Sequence, residues 1–166
     1  MIMEQTLNWR KGTFDSNYHV FKDGLLRFSL NFSSWKNSAI ATTQNGIYLL
    51  KSTGFSNPET TLFNNKNEVL AKISYDLLSF KAKIIFPSGE QFDWSFQNSW
   101  LSRWSLNNKN DKQILFNASS GSGIVHSNVD DDLLVFCGLF IREYYARILF
   151  LFILMVFFLS FFRSVF

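Results

Sequence analysis

Residues 133–162 read LLVFCGLFIREYYARILFLFILMVFFLSFF, and this stretch decides the fold. It contains two apolar blocks, Leu133–Ile141 and Ile148–Phe162, which are separated by the charged patch Arg142–Arg147. The first block is apolar on every side, which is typical of a helix enclosed by other parts of a protein. The kind of protein therefore depends on whether these blocks lie inside a folded domain or inside a lipid bilayer.

The sequence before this stretch alternates short strand-like runs with turn signals. Runs such as Leu26–Phe32 and Phe92–Phe96 alternate apolar and polar residues, which indicates strands with one buried face. Asn45-Gly46 and Ser88-Gly89 are the clearest hairpin turns between runs. We predict about a dozen strands, near Thr6–Arg10, Asn17–Phe21, Leu25–Asn31, Ser38–Thr43, Ile47–Lys51, Thr60–Phe63, Val69–Tyr75, Phe80–Phe86, Gln91–Phe96, Leu101–Leu106, Gln113–Asn117 and Gly123–Ser127.

Composition excludes several classes of protein. The chain has 166 residues, 47% of them hydrophobic, which is enough for one domain with a substantial core. Its net charge of +3 is too small to indicate a nucleic-acid partner. Cys137 is the single cysteine, so neither a disulfide framework nor a cysteine metal site is expected within one chain. The first residues contain no apolar run, and we therefore expect no secretory signal peptide.

The helix is predicted to begin at about residue 129. Asn128 or Asp130 is suited to cap it, and Asp130–Asp132 place negative charge at its N-terminus, where the helix dipole favours it. Glu143 and Arg147 stand one turn apart, in the orientation that stabilises a helix.

The pattern as a whole resembles the tubby C-terminal-like superfamily, which includes phospholipid scramblases and bacterial relatives. The likeness spans about residues 17–147 and is carried by Asn67–Ile73, Phe80–Phe86 with Ser88-Gly89, Phe92-Asp93-Trp94, Trp104-Ser105-Leu106 and Asp132–Phe140. The resemblance implies a mainly β fold, a closed barrel of about twelve strands around the apolar C-terminal helix. It also implies a non-enzymatic, membrane-associated module that binds lipid headgroups or a membrane partner.

The second apolar block departs from this pattern. A helix from Leu133 to Arg147 is already about 22 Å long, enough to fill a barrel. The second block is therefore surplus, and extended to Phe166 it comes near the lower limit for a bilayer core of about 30 Å. A single span over both blocks would bury the charged patch, at about 2.5–3.5 kcal/mol for each charge.

We therefore predict a barrel over residues 1–147 and a hydrophobic tail over 148–166 that anchors the protein to the cytoplasmic face of a membrane. Tyr144 and Tyr145, with Arg142 and Arg147, are expected to form an interfacial girdle. Three alternatives stay open: a soluble cytoplasmic barrel, a homo-oligomer that buries the tail, and a protein whose first block also enters lipid.

Lys72, Lys81 and Lys83 lie on two successive predicted strands and are the candidate lipid-binding residues. Lys81 and Lys83 share one face of their strand, and membrane lipids, the expected partners, carry the phosphates that such residues bind. The alternative is that these lysines are a solvated outer wall.

Other residue groups give weaker signals. Asp130, Asp131 and Asp132 supply oxygens that calcium prefers, but their spacing does not fit an EF-hand, so no metal or cofactor is predicted and helix capping is the alternative. The two histidines, His19 and His126, are far apart, and no catalytic motif is present. We therefore expect no enzyme; the other hypothesis is a soluble small-ligand barrel or an enzyme without a recognisable motif. Four tryptophans are expected to pack in the core or rim, with a ligand groove as the alternative; they are Trp35, Trp94, Trp100 and Trp104.

Overall fold

The computed structural model describes residues 4–12, 16–34, 36–54 and 57–165. Along these residues the elements are β1 (Gln5–Lys11), β2 (Tyr18–Lys22), β3 (Leu25–Phe32), β4 (Ser38–Thr43), β5 (Gly46–Thr53), β6 (Glu59–Phe63), β7 (Val69–Asp76), β8 (Lys81–Ile85), β9 (Gln91–Phe96), β10 (Arg103–Asn107), β11 (Gln113–Ser119), β12 (Ser122–Ser127) and α1 (Asp132–Val165). Each predicted strand is confirmed, with ends that differ by no more than one or two residues.

The strands form one closed antiparallel barrel. Each strand pairs with its neighbours in sequence, and β1 also pairs with β12, from Gln5 opposite Ser127 to Arg10 opposite Ser122. Closure leaves no strand edge open to another chain. The predicted fold class, a closed barrel around a C-terminal apolar helix, is confirmed.

The alternation of the sequence sets which side chains point inward. Along β1, Leu7 and Trp9 are buried while Thr6 and Asn8 are exposed. A similar period of two runs through most of the other strands, so apolar side chains line the interior. The outer wall mixes polar side chains with some exposed apolar ones, such as Ile40 and Ile47. An interior this wide needs a filling, which α1 provides.

The first apolar block fills the barrel. Residues 134–141 of α1 are buried, and the Phe136 ring packs edge-on against Phe28 at 6.0 Å. The indole of Trp94 donates a hydrogen bond of 3.2 Å to the carbonyl oxygen of Gly138. The hypothesis that this block enters lipid is therefore wrong, because the strands already enclose it.

The residue that caps α1 differs from the prediction. The backbone N–H of Leu133 donates to a carboxylate oxygen of Asp131 at 2.9 Å, so Asp131 is the cap. Asn128 instead accepts a hydrogen bond from the backbone N–H of Gln113 at 2.7 Å, and Asp130 pairs with Arg27. The prediction of Asn128 or Asp130 as the cap was wrong because both have partners on the barrel wall.

The helix does not end where the barrel ends. It runs unbroken to Val165, and every residue from Phe150 to Phe161 is exposed. By length and composition, α1 is apolar enough to cross a membrane. We call residues 148–165 the projecting segment.

Candidate membrane interface

The barrel has two different ends. Helix α1 begins beside the start of β1, where the side-chain amide of Gln5 donates to the carbonyl oxygen of Val129 at 2.8 Å. It leaves beside the end of β1, where Lys11 donates to Glu143 at 2.8 Å. We call these the cap end and the exit end. Because the strands alternate in direction, the loops after odd-numbered strands lie at the exit end.

Glu143 is the centre of the contacts at the exit end. Its Oε2 accepts hydrogen bonds from Lys11 Nζ at 2.8 Å and from the Tyr18 hydroxyl at 2.9 Å. Burial disfavours the charged carboxylate, but the hydrogen bond and charge of Lys11 outweigh it and hold the Glu143 pKa below its ordinary value. Burial also raises the pKa of Tyr18, so its hydroxyl stays protonated and donates. The helix is thus fixed at one depth in the barrel.

The two arginines of the charged patch extend this network. Arg142 donates to the Tyr18 hydroxyl at 3.0 Å, and its guanidinium lies 5.6 Å from the Trp104 ring. Arg147 lies 3.6 Å from Glu143 and donates to the carbonyl oxygen of Ser33 at 3.1 Å. The predicted pair of Glu143 and Arg147 within α1 is therefore confirmed, and the bond from Arg147 to Ser33 joins the helix to the barrel rim.

The prediction of a girdle is wrong for Tyr145. This side chain is fully buried, its ring stacks 5.4 Å from Trp94, and its hydroxyl donates to the carbonyl oxygens of Lys81 and Asp76. Tyr144 is half-buried and stacks on Tyr75 at 4.2 Å. The error arises because the barrel wall still encloses α1 at Tyr145, whereas Arg142 and Tyr144 are only partly buried.

The candidate lipid-binding lysines lie together on the outer wall. Lys72 is in β7, and Lys81 and Lys83 are in β8, with all three exposed. Lys72 pairs with Glu59 at 2.9 Å, and Lys83 lies 3.8 Å from Asp93. Only Lys81 is at the exit end, and the role in lipid binding stays a prediction.

Charge is distributed unevenly between the two ends. Among the described residues, the carboxylates at the cap end outnumber the cations; they are Glu4, Asp23, Glu68, Glu90, Asp111, Asp130, Asp131 and Asp132, against Lys22, Arg27, Lys66, Lys109 and Lys112. At the exit end cations prevail; they are Arg10, Lys11, Lys36, Lys51, Lys81, Arg103, Arg142 and Arg147, against Glu59, Asp76 and Glu143. The basic end is the one from which the apolar helix projects.

Two apolar side chains also stand out at the exit end. Leu78, in the loop between β7 and β8, is 96% exposed, and Trp100, in the loop between β9 and β10, is 89% exposed. Trp94 and Trp104 are instead fully buried, as packing in the core predicts, while Trp35 lies outside the described residues.

The aspartates at the cap end already have partners. Arg27 pairs with both Asp130 and Asp132, and Asp131 caps α1. The hydrogen bond from Arg27 lowers the pKa of Asp130, whereas burial raises that of Asp132. Within the described ranges, no group of three or more His, Cys, Asp or Glu is placed to hold a metal ion.

A cleft of about 610 Å³ opens where α1 leaves the barrel. It lies between the helix and the loop from β3 to β4. Lys11, Lys36 and Arg147 supply its positive charge, and Glu143 is its one carboxylate. Phe150 and Leu151, at the start of the projecting segment, line its outer side. Sequence reasoning did not identify this cleft, because Lys11, Lys36 and Arg147 are distant in sequence and only strand closure brings them together.

Comparison of the chain with protein-family models, with curated proteins and with solved structures gives no match. The resemblance to the tubby C-terminal-like superfamily therefore stays a prediction.

Proposed function

We propose that this chain is a C-terminally membrane-anchored, non-enzymatic barrel of the tubby-like and scramblase-like kind, which binds lipid headgroups or a membrane partner at the cytoplasmic face. One observation carries the proposal: the projecting segment leaves a well-packed domain with its apolar side chains uncovered. Because the helix already occupies the interior, a ligand cavity inside the barrel is disfavoured, and so is the small-ligand alternative.

The energetics favour lipid as the surrounding of this segment. Its large apolar side chains from Phe150 to Phe161 have exposed fractions between 37% and 67%. Complete burial of one such side chain is worth about 1.5–3 kcal/mol, so moving the segment from water to lipid gains on the order of 10 kcal/mol. The hydroxyl of Ser160 donates to the carbonyl oxygen of Val156 at 2.9 Å, so this polar group is also satisfied in lipid.

The length and the flanking charges suit a single anchor. Residues 148–165 extend about 27 Å, close to the hydrocarbon thickness of about 30 Å. Arg142 and Arg147 precede the segment, and Arg163 lies near its C-terminal end. Together with the basic exit end, the two preceding arginines favour a barrel on the side of the anionic cytoplasmic leaflet.

Cell fractionation of the full chain tests this proposal. Wild-type protein is expected in the membrane pellet, resistant to high salt and released by detergent. The variant Ile153→Lys/Phe157→Lys should move to the soluble fraction, because two charges are placed within the apolar segment. The matched control is Leu25→Lys/Ile47→Lys, which changes two exposed apolar residues of the barrel wall and should stay in the pellet.

Two results would contradict the anchor. One is equal solubility of wild type and the Ile153→Lys/Phe157→Lys variant as monomers. The other is a soluble wild-type oligomer that the same substitutions dissociate, which would show that a second copy covers the segment.

A further inference from the structure

We propose that the cleft at the base of the projecting segment is a binding site for the phosphate headgroup of an anionic phospholipid. This inference rests on the proposed membrane anchor, because the lipid must lie beside the segment in the same leaflet. It assigns headgroup recognition to Lys36 and Arg147, on the side of the barrel away from the lysines that the sequence suggested.

The cleft lies at the level along the helix where a lipid headgroup is expected. Arg147 stands at its inner side, and Phe150, one turn later, is the first exposed residue of the helix. A lipid whose phosphate lies beside Arg147 therefore has its acyl chains beside Phe150 and Leu151. Basic groups followed by apolar residues along one helix can contact the phosphate and the acyl chains of the same lipid.

The cations of the cleft are only partly neutralised. Lys11 is paired with Glu143, but among the described residues the Lys36 amine has no hydrogen-bond or ion-pair partner. Arg147 uses Nη1 for the Ser33 carbonyl and Nε for Glu143. Its Nη2 has no such partner in the described part of the chain. One carboxylate among three cations leaves a net positive site, suited to one phosphodiester.

The geometry around Arg147 holds its guanidinium in place. Its guanidinium carbon lies 5.0 Å from the centre of the Phe32 ring, in addition to the contacts with Ser33 and Glu143. A planar guanidinium fixed in this way binds phosphate with little loss of side-chain freedom. Ser34 and Asn37 add polar groups to the lining.

A control for general surface charge exists in the same molecule. Lys81 is also exposed and also at the exit end, but β8 lies across the closed barrel from β3 and β4. Lys36→Glu and Lys81→Glu change the net charge equally, and neither residue is part of the packed core. Only Lys36→Glu is expected to alter the cleft.

The test measures lipid selectivity of the full chain reconstituted in phosphatidylcholine vesicles. Spin-labelled phosphatidylserine and spin-labelled phosphatidylcholine are compared by electron paramagnetic resonance, which reports the fraction of each held at the protein. Wild type should prefer phosphatidylserine, and Lys36→Glu should reduce this preference roughly five-fold or more. Lys81→Glu should change it by less than about two-fold. Arg147→Lys, which keeps the charge but loses the planar donor group, should give an intermediate loss.

The outcomes separate this inference from the anchor. Equal losses for Lys36→Glu and Lys81→Glu would refute a specific site and leave general attraction at the exit end. Protein that inserts but shows no preference for phosphatidylserine would refute the cleft while the anchor stands. Protein that does not enter the vesicles would overturn both. Loss of the preference on adding inorganic phosphate would assign the site to free phosphate, against the lipid proposed here.

Discussion

Replacement of Gly138 by alanine should destabilise the barrel, although alanine is the better helix former. A β-carbon at this position would lie 2.5 Å from Cζ and 2.9 Å from Cε2 of Phe116. Such distances require a shift of the ring, but Phe116 is buried and stacked 5.2 Å from Trp104. At Gly138 the helix therefore leaves no room for a side chain against Phe116.

The magnitude follows from two opposing terms. Inserting a methyl group into a packed core costs about 1–3 kcal/mol, and the intrinsic preference of a helix for alanine over glycine returns about 1 kcal/mol. The difference is a net loss of up to about 2 kcal/mol in the free energy of unfolding, and we expect a larger loss for Gly138→Val.

Denaturant unfolding of the full chain in detergent, followed by near-ultraviolet circular dichroism, measures this effect. The double variant Gly138→Ala/Phe116→Leu should be less destabilised than the sum of the two single variants, because the smaller side chain relieves the contact. An increase in stability for Gly138→Ala, or strict additivity with Phe116→Leu, would refute the packing described here.

Three further predictions concern the two ends of the barrel. Glu143→Gln should lower the free energy of unfolding by about 1–3 kcal/mol, because it leaves Lys11 without its carboxylate. Since the pKa of Glu143 is lowered in the folded protein, wild type should lose this stability as the pH falls below the ordinary value of 4.5. The variant should lack this acid-dependent part of the unfolding free energy. Asp131→Ala should cost about 1 kcal/mol in thermal or denaturant unfolding through loss of the cap, whereas Asp130→Ala, which changes a half-exposed ion pair, should cost less. In vesicles, lipids brominated near the headgroup should quench part of the tryptophan fluorescence. Trp100→Phe should remove the quenched part, because Trp100 is 89% exposed at the exit end. Quenching that is unchanged in Trp100→Phe would show that this end faces away from the bilayer.

Local patterns in the sequence were enough to predict the strands and the enclosed helix, whereas the closed barrel around that helix was predicted from the resemblance to the tubby C-terminal-like superfamily. Alternation along runs such as Phe92–Phe96 set the inner face of each strand, and the apolar block Leu133–Ile141 left the helix with no surface suited to water. These features depend on neighbours in sequence, which is why the strand positions agree closely with the structure.

Features that depend on the depth of the helix were not predictable in the same way. We predicted Tyr145 at a membrane interface, yet it is buried against Trp94. The prediction failed because local sequence patterns do not indicate how far the helix enters the barrel. The contacts of Glu143 with Lys11 and Tyr18 join residues more than a hundred positions apart. The cleft beside Arg147 arises from the same long-range closure, which local spacing does not encode.

The environment of the projecting segment in vesicles shows whether the helix that fills the barrel also enters lipid. Spin labels at Phe152, Ile153 and Phe157, in a full chain whose native Cys137 is replaced by alanine, report access to oxygen and to a water-soluble nickel complex. We expect high oxygen access and low nickel access at all three positions, with the opposite pattern for a label at Ile47 on the barrel wall. Nickel access at the three positions equal to that at Ile47 would contradict a helix that fills the barrel at one end and enters lipid at the other.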